Sequence, residues 1–304
     1  MQMKSYKFFQ VDVFTETAFA GNPLAVIPEP EGLSENLMQK IAREMHLSET
    51  SFVFPPEGPE ADFRLRIFTP THEIPFAGHP VIGTAHILST EGYFEFKAGK
   101  PLLCFELGIG KIEVTKGEFS GSEECLTMRQ PLPKFADYGG DRKQIVELLG
   151  LSFSSELAED LPIKVISTGS PFLMIPLRSE ESLKRVKVNL SVLEKVSVVA
   201  GTTAVAPFVA NHPGVGEVTT RVFAPFFGVP EDPATGSAAG CFGSYMITVL
   251  GPGKSGTREF TINQGAQLGR PSRIFVRIEL EGKNIVGVLV AGSVVKVAEG
   301  VLRF

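Results

Sequence analysis

The chain has 304 residues, 43% hydrophobic and 21% charged, with 31 Gly and 22 Pro. That is a loop-rich globular profile, long enough for two domains of about 150 residues each. The formal charge is −5 at pH 7 and no block of Lys or Arg forms a stripe, so neither nucleic acid nor an anionic membrane surface is an expected partner.

Cys104, Cys125 and Cys241 form an odd set without C-x-x-C spacing, which supports neither a disulfide framework nor a zinc site. The start, MQMKSYKFFQVDVF, runs directly into alternating apolar residues with no signal-type apolar region. The longest apolar run, Ile285 to Val295, carries two glycines and is too short to cross a bilayer. A reducing cytoplasm is the expected location.

Phe8 to Phe14 (FFQVDVF) predicts a strand, and Gly21 to Val26 (GNPLAV) a turn leading into another. Ser34 is an N-cap candidate for a helix whose apolar face carries Leu37, Met38, Ile41, Ala42 and Met45 and which ends near His46. SETSFVF then enters a strand, and FRLRIF (Phe63 to Phe68) alternates as a half-buried strand should. FTPTHEIPFAGHP reads as a Pro-broken loop, with a helix from Val81 to Leu88. Strands follow between about Tyr93 and Val114, and the Pro- and Gly-rich segment from Pro131 to Asp141 holds the domain crossing or lies just after it. Gln144 to Leu149 begins another amphipathic helix. Ile163 to Ser167, Leu173 to Leu177, Val196 to Ala200 and Thr219 to Phe223 predict strands, and Ala224 to Asp232 a loop. Pro233 to Leu250 predicts a helix of small residues, and strands around Phe260, at Arg273 to Leu280 and from Ile285 to Phe304 close the chain.

One pattern occurs twice. His79-Pro80-Val81-Ile82-Gly83-Thr84-Ala85 aligns with Asp232-Pro233-Ala234-Thr235-Gly236-Ser237-Ala238, each ahead of a helix rich in small residues that lets backbones approach closely. The expected fold is therefore α/β (α+β): two similar halves, each a sheet wrapped around a central helix, facing each other across a cleft.

A helix N-terminus presents unpaired N–H groups and a partial positive charge. Two such ends facing one cleft would bind an anion, most simply a carboxylate, and stabilise negative charge that develops in a reaction. Pro at the first helical position presets φ. Asp232 reads equally as an N-cap or as a site group. His79 would be an unusual cap, and it stands between His72 and His86 in sequence. His86, seven residues on, lies about two turns along the same face and reads as packed. No H-x-x-x-H pair is present, and no metal is expected. Glu49 in LSETSFV lies among Leu47, Phe52 and Val53. Desolvation there would raise its pKa above the ordinary value, which suits a general acid/base. GPGKSGT (Gly251 to Thr257) lacks a phosphate loop's first glycine, Thr248 standing there, and follows a helix rather than a strand. Gly108 to Gly110 lacks the third glycine of a dinucleotide fingerprint. No nucleotide or other cofactor is expected.

Taken together, FQVDVFTETAFAGNPLAV, SETSFVF, FTPTHEIPFAGHPVIGTAH, EDPATGSAAG and QGAQLGRPS, in this order and spacing, resemble the PhzF-like family of phenazine-biosynthesis-type isomerases, relatives of diaminopimelate epimerase. The resemblance runs from about residue 8 to the final strands. It implies two pseudo-symmetric domains, each a mixed sheet around a central helix, with the active site in the cleft between them. The last strands return to the first domain in that family, giving 1–125 plus 285–304 for the N-terminal domain and 126–284 for the C-terminal one. The resemblance also implies isomerisation of a substrate such as trans-2,3-dihydro-3-hydroxyanthranilate by moving a proton, without metal or organic cofactor. Glu49 would carry the proton and His79 and Asp232 would flank the reacting ring. Backbone N–H groups near Gly78, Gly236 and Ser237 would hold the substrate carboxylate, with a hydroxyl from Ser48, and a homodimer is implied. Diaminopimelate epimerases place a cysteine near each helix mouth. Here Gly83 and the Pro233–Ala234 region stand in that neighbourhood, which disfavours a two-thiol epimerase. A racemase or epimerase with a non-thiol second base, and a catalytically silent binding or regulatory relative, remain the alternative readings.

Overall fold

The structure is a computed structural model that describes residues 4–97, 102–119, 122–211, 216–251 and 255–304. Residues 252–254 of the GPGKSGT segment lie outside the described residues. The chain forms two compact units, Met1–Arg129 with Val290–Phe304, and Gln130–Leu289. Among the described residues, no helix is long and apolar enough to cross a membrane.

The first unit runs β1 (Ser5–Val13), β2 (Asn22–Ile27), α1 (Glu35–Met45), β3 (Glu49–Phe54), β4 (Phe63–Phe68), β5 (Glu73–Ile74), α2 (Gly78–Thr90), β6 (Leu102–Leu107), β7 (Gly110–Phe119) and β8 (Ser122–Gln130). α1 starts where the Ser34 hydroxyl accepts the Leu37 N–H, and it stops at His46, whose φ of 53° is left-handed. The helix connects β2 to β3, which pair in parallel, as a crossover of this kind requires. Its buried Met38, Ile41 and Ala42 meet Tyr6, Ile27, Phe52 and Phe68 on one face of the sheet.

α2 covers the other face. Ten of its thirteen residues are buried, so it is a core helix rather than an amphipathic surface one. Gly83 makes the approach possible: a Cβ there would lie 2.7 Å from Leu24 Cδ2 and 2.8 Å from Val13 Cγ2. Side chains alternate along a strand, and paired residues share a face. The registers Val13↔Asn22 and Leu24↔Glu49 therefore put Asn22 and Glu49 on the α2 side, with Leu24 and Val13.

The second unit runs β9 (Lys134–Asp137), α3 (Arg142–Leu148), β10 (Lys164–Ser167), β11 (Pro171–Pro176), α4 (Glu180–Arg185), α5 (Leu190–Ala200), β12 (Val205–Asn211), β13 (Glu217–Thr220), β14 (Val222–Ala224), β15 (Val229–Asp232), α6 (Gly236–Leu250), β16 (Gly256–Gln264) and β17 (Ser272–Glu281). β18 (Asn284–Gly292) and β19 (Val294–Arg303) follow. Helices α3, α4 and α5 pack Ile145, Leu148, Leu183, Leu193 and Val196 against Leu173, Ile175, Val205 and Val209. On the opposite face Phe208 meets Phe242 and Tyr245 of α6 edge-on, at 5.2 and 5.0 Å between ring centres.

The two units share one pairing plan. In the first, β19–β1 and β1–β2 are antiparallel, β2–β3 parallel, β3–β4 antiparallel, β4–β6 parallel and β6–β7 antiparallel. In the second, β9–β10, β10–β11, β11–β12, β12–β13, β13–β16 and β16–β17 repeat that series. Both parallel steps bridge a helical crossover, the second over α2 or α6. This is the mixed α/β architecture expected from the sequence, a sheet around a central helix in each half.

Four local expectations are corrected. Val196 to Ala200 is the end of helix α5, not a strand. Asn189 caps it through Ser191 and Val192 N–H and Gly201 ends it at φ 66°, while Val192, Leu193, Val196 and Ala200 keep helical spacing inward. Val198 and Val199, 84% and 52% exposed, are the β-branched residues that mislead a pattern reading. Within the Pro-broken loop before α2, Glu73–Ile74 pairs with Ile67 and Phe68 as a short strand. The Ala224 to Asp232 loop contains a 3₁₀ turn at Pro225–Phe227 and the strand β15. Neither central helix begins at its proline: α2 starts at Gly78 with Ala77 as N-cap, and α6 at Gly236 with Thr235 as N-cap.

Candidate active site

The offset between the two helix starts decides what the repeated motif does. In the first copy Pro80 is the third helical residue, still within the first turn, where a missing N–H costs nothing. His79 is consequently inside the helix rather than capping it. In the second copy Asp232 ends β15 and the helix opens four residues later, so Asp232 is not the N-cap and Pro233 is not helical. The aligned polar residues of the motif thus reach their surroundings from a helix in one unit and from a strand in the other.

In the first unit, Glu49 opens β3 and is 9% exposed, and His79 is 2% exposed. The imidazole Nε2 stands 3.2 Å from Glu49 Oε2. The ring's other nitrogen, Nδ1, is 3.1 Å from the Asn22 amide nitrogen. That amide nitrogen can only donate, so Nδ1 accepts and the proton of the neutral ring resides on Nε2, toward the carboxylate. Burial pushes the His79 pKa down from 6.5 to about 3. Lost hydration disfavours the charged ring, and the imidazole is neutral at physiological pH. His79 sits in the first turn of α2, where the helix dipole favours negative charge. Gly78 opens that turn, and no side chain caps it. Ser48, half-buried, immediately precedes Glu49. His72 is exposed with Nδ1 2.9 Å from Thr71 Oγ1, and His86 is half-buried further along α2. Of the three histidines, His79 is the one brought to the Glu49 carboxylate.

In the second unit, the Thr235 hydroxyl donates to Asp232 Oδ2 at 2.6 Å. Gln264 fixes the direction of that bond. Its Nε2 donates to Thr235 Oγ1 at 2.9 Å and to the Asp232 carbonyl at 2.7 Å, and its Oε1 accepts the Thr235 N–H at 3.0 Å. Ser272 Oγ donates to the Pro233 carbonyl at 2.9 Å. Next to Asp232, Glu231 holds Arg221 in a two-pronged pair at 2.8 and 2.7 Å. The same guanidinium donates to the carbonyls of Leu183, Lys184 and Val186, satisfying the end of α4.

Gly236 and Ser237 open α6, again with no side-chain cap. Gln130 Nε2 donates to the Gly236 carbonyl at 2.9 Å and Thr168 Oγ1 donates to Gln130 Oε1 at 2.8 Å. Cys241 is fully buried beneath this turn, donating to the Ile166 carbonyl at 3.3 Å, and burial pushes its thiol up to about 12. Such a thiol stays protonated and is no base.

The motif residues were legible in the sequence, but their partners were not. Asn22 lies in GNPLAV, which reads as a turn leading into a strand, and Gln264 in QGAQLGRPS, one of the motifs that carry the family resemblance. An amide beside a glycine at a strand end was the only signal for either.

The family described as phenazine biosynthesis-like protein matches residues 11–300 of the chain. An uncharacterised isomerase of Mesorhizobium japonicum is 34% identical over 308 residues, 99% of each chain. A trans-2,3-dihydro-3-hydroxyanthranilate isomerase of Pseudomonas aeruginosa is 33% identical over 298 residues, covering 97% of this chain and 98% of the other. The crystal structure of a Bacillus anthracis phenazine biosynthesis protein of the PhzF family superposes with a TM-score of 0.88 at 29% identity, over 98% and 99% of the two chains. The chain belongs to the PhzF-like, phenazine biosynthesis-like family and is an isomerase of that family.

Proposed function

We propose that this isomerase shifts a proton within a small carboxylate-bearing substrate similar to trans-2,3-dihydro-3-hydroxyanthranilate, the compound in the name of the Pseudomonas aeruginosa isomerase, with Glu49 as general acid/base. The ionised Glu49 carboxylate takes a proton from one substrate carbon as the C–H electron pair moves into the conjugated system. The resulting carboxylic acid returns a proton to a different carbon as a double bond shifts. Glu49 ends as it began, so the step consumes no cofactor or co-reactant. His79, as a neutral N–H donor, and Asp232 orient the reacting part and balance charge that develops there. The uncapped N–H groups near Gly78, Gly236 and Ser237, with the Ser48 hydroxyl, receive the substrate carboxylate.

One observation carries this reading: a buried carboxylate held 3.2 Å from an imidazole whose burial keeps it uncharged. A protonated histidine there would lower the basicity that proton abstraction needs, and a neutral one does not. A homodimer, which rests on the family resemblance, and a reducing cytoplasm, which rests on the cysteine pattern, belong to the same proposal.

Proton NMR in D2O tests the reaction class, with wild type and Glu49→Gln set against trans-2,3-dihydro-3-hydroxyanthranilate and a set of amino acids. The proposal predicts an isomerised product with wild type and none with the variant. Deuterium entering at an amino-acid Cα with inversion would contradict it in favour of a racemase. Folded protein that turns over nothing in the set would contradict the substrate class.

A further inference from the structure

We infer that Asn22 is a positioning residue that sets which nitrogen of His79 carries the proton, and so makes the imidazole a donor toward Glu49. The consequence for catalysis rests on the proposed function, whereas the tautomer itself does not. Asn22 opens β2, is fully buried, and shares the inner face of the sheet with Glu49 through the registers of β1, β2 and β3. Its Nδ2 lies 3.1 Å from His79 Nδ1. An amide NH₂ has no lone pair to offer, so this contact excludes a proton on Nδ1 of the neutral ring. The ring is neutral because it is buried, which leaves one proton to place, and that proton falls on Nε2. Nε2 makes no hydrogen bond of regular geometry among the described residues and lies 3.2 Å from Glu49 Oε2. A contact that is loose without substrate is one that can tighten or transfer to substrate in the reacting complex.

The second unit is built in the same sense: the Gln264 amide donates to Thr235, whose hydroxyl then donates to the Asp232 carboxylate. In each unit a side-chain amide, held in the sheet, fixes the polarity of a neutral group next to an acid. Without Asn22, the two tautomers of His79 would compete, and the Nδ1–H form would turn a lone pair on Nε2 toward the carboxylate. Two electron-rich atoms would then face each other in a site of low dielectric, which is unfavourable.

The test is a long-range proton–nitrogen correlation spectrum of the full chain carrying ¹⁵N-histidine, with His79 assigned by its loss in His79→Gln. Wild type should show the Nε2–H tautomer of His79 from pH 5 to 8. A wild-type Nδ1–H tautomer would overturn the inference outright, whether or not any substrate is turned over. Asn22→Asp, read at pH 8 where its carboxylate is ionised and only accepts, should invert the assignment to Nδ1–H or give the imidazolium. An unchanged Nε2–H tautomer in the folded variant would also overturn it. With trans-2,3-dihydro-3-hydroxyanthranilate as probe, kcat in Asn22→Asp should fall on the order of 10²-fold or more with KM little changed, in line with the cost of a wrong tautomer elsewhere. A tautomer that inverts without loss of kcat would remove the catalytic consequence. Should Asn22→Asp not fold, the wild-type spectrum still decides.

Discussion

His79 is a histidine that does not titrate where histidines usually do. Its folded pKa lies below its unfolded value, about 3 against 6.5, so the unfolded chain binds the extra proton more readily in between. Stability contributed by this group is fully present above about pH 6.5 and is lost as pH falls toward 3, by up to about 1.4 kcal/mol per pH unit. Proton NMR should show no His79 ring titration between pH 5 and 8; a midpoint near 6.5 would contradict the burial argument. Urea melts at pH 7 and pH 5 should differ less for His79→Gln than for wild type. At this scale Glu49, His79 and Asp232 stood out in the sequence because each lies in a short motif beside a proline or a strand entry. The groups that direct them, Asn22, Thr235 and Gln264, did not. Their role depends on which atoms meet across 57 residues for Asn22 and His79, and no local pattern encodes that.

Elements were legible wherever periodicity and punctuation agreed. Ser34 and His46 mark the two ends of α1, and the alternation of FRLRIF marks β4. α5 was misread because Val198 and Val199 favour strand by type while standing on the solvent side of a helix. Val198→Glu should therefore change stability by less than about 0.5 kcal/mol. A loss of several kcal/mol would mean that the valine is packed after all. Gly83 presents the opposite case. Any side chain there meets Leu24 and Val13, and valine, poorly suited to a helix as well, offers no compensating gain in propensity. Gly83→Val should cost about 1–3 kcal/mol in denaturant unfolding. Near-wild-type stability would show that α2 can move away from β1 and β2.

Across the whole molecule, one pairing series occurs twice, and the first copy is completed by a strand from the other end of the chain. β19 pairs with β1 from Ser5↔Arg303 to Val13↔Val294, so the first unit closes only when the last residues are in place. Removing 294–304 strips a partner from the length of β1 and leaves an unpaired strand edge. Circular dichroism melts should then show a large drop in Tm or no cooperative transition, and an unchanged Tm would contradict this account of the unit. The duplicated plan was visible in sequence as the two His/Asp-Pro-x-x-Gly-Thr/Ser-Ala stretches. The different helix starts were not, because Ala77 and Thr235 cap with backbone alone.

The central claim is that the Glu49 carboxylate carries the proton. Its most direct test is the rate of trans-2,3-dihydro-3-hydroxyanthranilate isomerisation by wild type and Glu49→Gln, with calorimetric binding of the product to both. Glu49→Gln should lose kcat on the order of 10³-fold or more with binding changed by only a few-fold, since the amide keeps the shape and loses the base. Turnover within tenfold of wild type would contradict it.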